Sequence, residues 1–93
     1  MKKVVNALLF RPDGTSTMVT SKGKKFSLAE LQELVGGYIE RAPAEVVDPE
    51  GNVCDMIVNE EGLLIGLLPN TKASRLTGIY LVGNAVLLKK GTW

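Results

Sequence analysis

Turn-forming residues cut this chain into short pieces, and their spacing fixes most of what it can become. Arg11-Pro12-Asp13-Gly14, Lys22-Gly23-Lys24-Lys25, Gly36-Gly37, Asp48-Pro49-Glu50-Gly51-Asn52, Asn59-Glu60-Glu61-Gly62, Pro69-Asn70 and Gly83-Asn84 leave intervals that hold a strand or a short helix and nothing longer. At 93 residues the chain is a single domain, 1–93, whose modest core self-association would complete.

The intervals differ in pattern. Lys3–Phe10 is apolar on both alternating faces apart from Asn6 and reads as a buried strand, and Thr15–Ser21 pairs back on it as a hairpin. Ser27-Leu28-Ala29-Glu30 is a capping box opening an amphipathic helix over about 28–36, with Leu31, Leu34, Val35 and Tyr38 as its core stripe. Gly36-Gly37 stops it through a left-handed cap, so Tyr38–Ala42 leaves extended. Residues 43–52 read as irregular, Val53–Asn59 as a strand, and Leu63–Leu67 as its hairpin partner. Asn70 caps a short helix over about 71–77, with Gly78 past its end. Ile79–Val82 and Ala85–Lys89 are strand-like, joined by Gly83-Asn84 as either a hairpin turn or a kink in one long strand. Two short helices among several hairpins predict an α+β fold with a mainly antiparallel sheet.

Net charge is +1, but the charges form blocks. Six basic residues against Asp13 make residues 1–25 +5; nine acids against Arg41 make residues 26–61 −8; the remainder is +4. Such blocks either neutralise one another within the fold or become opposed faces that pair identical subunits. The near-zero total does not point to nucleic acid as partner, which leaves the Lys22, Lys24, Lys25 cluster as a solvated loop. Cys54 is the only cysteine, so an intramolecular disulfide is impossible; acids flank it, which suits a strand residue better than a nucleophile. Met1–Phe10 leads into a turn instead of a cleavage site, and Ile79–Leu88 is too short and interrupted to span a bilayer, so a cytoplasmic, membrane-free protein is expected.

Candidate chemistry is sparse. Histidine is absent, which removes the commonest general base and metal ligand and every Ser-His or Cys-His pair. Asp48-x-Glu50-x-Asn52 starts like a calcium loop, yet its glycine falls at the fourth position and Asn59 stands at the twelfth, where a glutamate is needed. No metal, cofactor or catalytic residue is expected. Adjacent Glu60 and Glu61 fit acid/base work less well than the tip of a turn, where neighbouring side chains splay into water. Trp93 is either disordered or docked in an interface.

Leu31-Gln32-Glu33-Leu34-Val35-Gly36-Gly37-Tyr38-Ile39-Glu40, then Val58-Asn59-Glu60-Glu61-Gly62-Leu63, then Gly66-Leu67-x-Pro69-Asn70 with Ala73, resembles a family of small proteins of bacteriophages, prophages and their bacterial hosts, a domain of unknown function. The similarity runs through nearly the whole chain. It departs at Leu68, where the family often has a second proline, and at Asn84, where an acid often follows the glycine. The resemblance implies a small non-enzymatic protein that binds a host protein or sequesters a small signalling molecule, antagonising host defence, and that forms a homo-oligomer. The alternative is a nucleic-acid-associated accessory protein using the basic N-terminal block. Asn59, Glu60, Glu61, Asn70, Thr71 and Arg75 are the candidate binding residues. They converge only if the second helix folds back over its hairpin, where the Thr71 amide and its neighbours would form a small anion site.

Overall fold

The computed structural model describes residues 3–93. Arg11 N donates to Thr15 O at 2.9 Å and Gly14 N to Arg11 O at 3.0 Å, closing the turn between β1 (Asn6–Phe10) and β2 (Ser16–Thr20). The pair is antiparallel with Leu8 opposite Met18. β1 is not buried on both faces as its composition suggests: Asn6 and Leu8 are exposed, because no helix covers the sheet beneath them.

Helix α1 (Leu28–Val35) begins with both hydrogen bonds of the capping box, Glu30 N to Ser27 Oγ at 3.1 Å and Ser27 N to Glu30 Oε1 at 3.0 Å. It ends at Gly36, whose φ of 79° lets its amide turn back to Gln32 O. Leu31 and Val35 enter a core with Ala7, Leu9, Phe26, Ile57, Val86 and Leu88. Tyr38, expected on the same stripe, lies beyond the cap and is 65% exposed. Once Gly36 breaks the helical phase, the seven-residue spacing no longer returns a side chain to the core.

The centre of the sheet is β5 (Val53–Asn59) against β6 (Ala85–Lys89), and the strand order is β2-β1-β6-β5-β3, antiparallel in every pairing. β3 (Ile39–Arg41) pairs with Ile57–Asn59, and β4 (Val46–Val47) pairs with Val53–Cys54 on the same side of β5. The segment 43–52 is thus not wholly irregular. Pro43 interrupts an edge that β-branched Val46 and Val47 then resume.

Residues 60–66 form consecutive turns and Leu67 follows them outside any strand. The reason is topological: β3 and β4 occupy one side of β5 and β6 the other, so no edge remains for a hairpin partner. Helix α2 (Thr71–Thr77) forms as its cap predicts, and with Phe10, Ala42, Met56, Val58, Leu81 and Ala85 its Ala73 makes a second core on the opposite sheet face. Residues 79–82 join neither a hairpin nor a long strand. They run beside 68–70, through Asn70 N to Leu81 O at 2.9 Å and Gly83 N to Leu68 O at 2.7 Å, before Gly83 turns the chain into β6. This is an α+β fold, and no described helix is long and apolar enough to cross a membrane.

Candidate functional site

The predicted residues separate into two kinds. Asn59 ends β5 buried; its Nδ2 donates to Val35 O at 3.2 Å and its Oδ1 accepts from Glu61 N at 2.8 Å, tying the end of α1 to the following turn. Asn70 is 0% exposed. Its Nδ2 donates to Phe10 O at 3.0 Å and Gly83 O at 2.8 Å, and its Oδ1 accepts from Ala73 N at 3.1 Å, joining β1, the turn before β6 and α2. Both asparagines are spent on the protein's own backbone. Asn70 takes the Ala73 amide, so that N–H is not free for an anion at the start of α2.

Glu60, Glu61, Thr71 and Arg75 are exposed. A groove of about 420 Å3 holds Glu60 beside Glu40, Pro43, Leu63, Leu64 and Tyr80. Thr71 and Arg75 line an adjoining concavity of about 380 Å3 on the far side of Tyr80. The six residues therefore do not converge on one centre, although Ile79 and Tyr80 line both concavities.

The dominant feature is the loop between β5 and α2. Glu60 N donates to Tyr38 O at 2.8 Å, Ile65 N to Glu61 O at 3.0 Å, and Leu67 N to Gly62 O at 2.9 Å, so the loop is held by its own turns. Leu67 points inward against Gly83, and a Cβ at Gly83 would stand 2.6 Å from Leu67 Cδ1. One at Gly62 would stand 2.8 Å from Val82 Cγ2. Two close approaches thus seat the loop, while Leu63, Leu64, Ile65 and Leu68 stay in solvent beside exposed Tyr80, with Leu64 86% exposed. Exposed large apolar side chains gathered on one short loop mark an interaction surface more often than single scattered ones do. Sequence reasoning missed these residues because it read LLIGL as a strand; its signal was an apolar run with no sheet edge left to join.

Asp55 and Cys54 lie elsewhere. Asp55, buried on β5, accepts from Trp93 Nε1 at 3.0 Å and has Arg41 Nη1 3.7 Å away. Trp93 is therefore docked within its own chain. Cys54 is buried, and desolvation, reinforced by the nearby Asp48 carboxylate, pushes its thiol above its ordinary value, so it is a poor thiolate nucleophile. Among the described residues no cluster of three acids or cysteines could hold a metal.

Fold and surface together define a small α+β protein whose distinctive feature is an exposed apolar loop seated by two close backbone approaches. The chain belongs to the DUF3846 family, a domain of unknown function, whose profile matches residues 2–92. No curated protein and no solved structure matches it.

Proposed function

We propose that this chain is a non-enzymatic binding module that docks on a partner protein through the loop 60–68 and the groove beneath it. The observation that carries the reading is the division of labour within the loop: Leu67 is locked against Gly83 while four large apolar side chains around it face water. Folding alone gains nothing from exposing them, and their rigid seating lowers the ordering cost of association. Glu40 and Glu60 border the groove and Glu61 adjoins it, so the complementary partner is an apolar projection flanked by Lys or Arg. Apolar groups that project outward fit a protein surface better than an enclosed small signalling molecule. In the phage or mobile-element setting that the family resemblance implies, the partner is a host protein in the bacterial cytoplasm. Stoichiometric blocking of a defence factor is the role such a module fits.

The test is affinity capture from bacterial lysate with the wild-type chain and with Leu63→Glu/Leu64→Glu, followed by titration of the purified partner. The expected result is one stoichiometric protein whose affinity drops at least about tenfold in the variant, as the loss of central apolar contacts requires. A partner that binds both forms equally, or a bound small molecule in native mass spectrometry with no protein partner, overturns the reading.

A further inference from the structure

Strand β2 ends the sheet, and its outer edge is open. Ser21 N donates to Val5 O and Arg11 N to Thr15 O, each at 2.9 Å, and antiparallel pairing alternates. Thr17 and Val19 therefore bond β1, and the N–H and C=O groups of Ser16, Met18 and Thr20 point away from it, with no partner strand among the described residues. Exposed edges are ordinarily blunted by a lysine, a proline or a bulge. Ser16-Thr17-Met18-Val19-Thr20 carries none of these, and Met18 is 64% exposed.

We propose that β2 pairs antiparallel with β2 of a second copy about a two-fold axis at Met18, joining two six-stranded sheets into one. Three observations select a second copy as the occupant. First, the strand is self-complementary: with Met18 opposite Met18 and Ser16 opposite Thr20, every outward amide and carbonyl of both copies is paired. An axis at Thr17 or Val19 leaves one residue of each strand unpaired. Second, the turn before the strand carries Asp13 and the bend after it carries Lys22 and Lys24, so antiparallel apposition brings the acidic end of each strand toward the basic end of the other. Asp13, Lys22 and Lys24 are all exposed, and the two-fold axis makes the approach twice. Third, Met18 and Leu8 line a shallow groove of about 550 Å3 on the sheet face that α2 leaves uncovered. Directly opposite residues share a face, so the two Met18 side chains meet and the two grooves become continuous.

Five residues of edge pairing give a concentration-dependent dimer. Sedimentation equilibrium of the full chain over roughly 1–500 µM is expected to show monomer passing to dimer. Hydrogen exchange is expected to show the Met18 and Thr20 amides becoming protected, at least about tenfold, only at the upper end of that range. Met18→Pro removes only an outward amide, which an edge strand tolerates, and is expected to remain monomeric with an unchanged melting transition. Met18→Lys keeps the amide and is expected to weaken the dimer at least about tenfold through apposed charges. Leu64→Glu is expected to dimerise like the wild type. A protein that is monomeric throughout overturns the proposal, as does a dimer whose Met18 and Thr20 amides exchange at the monomer's rate. Dissociation by Leu64→Glu but not by Met18→Pro also overturns it.

Discussion

Trp93 Nε1 donates to Asp55 Oδ2 at 3.0 Å, fastening residue 93 to the middle of a central strand 38 positions earlier. Asp55 is buried, and its other carboxylate oxygen has no hydrogen bond, only Arg41 at 3.7 Å. Trp93→Phe keeps an aromatic ring, though a smaller one, and deletes the donor, leaving the carboxylate still less satisfied. Urea denaturation is expected to show a loss of about 1–3 kcal/mol. Because Trp93 is the only tryptophan, its fluorescence reports undocking directly, and Asp55→Ala should red-shift it.

Asn70 holds three backbone partners from three parts of the chain. Asn70→Ala is expected to cost about 3 kcal/mol at roughly 1 kcal/mol per net hydrogen bond. Asn70→Asp retains the cap but aims a carboxylate at the Phe10 and Gly83 carbonyls, so it is expected to destabilise more. Thr71→Ala and Arg75→Ala, one residue and one turn further on, should stay within about 0.5 kcal/mol of wild type. Thermal melts of the four variants separate the structural asparagine from its exposed neighbours.

That contrast shows what a sequence can reveal. Ser27, Asn70, Gly36 and Gly78 act on amides and carbonyls within four residues, and local chemistry made both helices legible. The second role of Asn70 depends on Phe10, sixty residues away, and no local pattern records it. Leu63–Leu67 was misread for the same reason: an apolar run after a turn is a hairpin unless both sides of the preceding strand are taken, and β6, which takes one of them, comes last in the chain. The acids beside the groove were legible in the sequence and the exposed apolar loop was not, because exposure is a property of the assembled sheet.

The pH response should lie outside the neutral range: carboxylates act in acid, and the raised Cys54 thiol lowers stability only above about pH 9. Hydrogen bonds from the Ser27 amide and then the Lys22 amide hold Glu30 below its ordinary value of 4.5. A carboxyl depressed in the folded state contributes its stability above the unfolded value and loses it as pH falls through the folded one. Histidine is absent and the Cys54 thiol lies above its ordinary value of 9.0, so side-chain titration leaves stability flat between about pH 5 and 8. On the acid side urea midpoints are expected to start falling near pH 5 and to fall further as pH drops, and Glu30→Gln should flatten part of that fall.

The seating of the apolar loop can be tested through its closest contact. Gly83 has a φ of 75°, and a Cβ there would stand 2.6 Å from Leu67 Cδ1. Gly83→Ala therefore combines left-handed strain with overpacking and is expected to cost about 2–4 kcal/mol. Leu67→Ala removes a half-buried side chain and should cost about 1–2 kcal/mol, less than a fully buried leucine. In the double variant the steric part of the Gly83 penalty has no partner, so the two costs should fall short of additivity by about 1 kcal/mol or more. A strictly additive cycle would mean that Leu67 does not press on Gly83, and with that the rigid presentation of Leu63, Leu64, Ile65 and Leu68 would lose its physical basis.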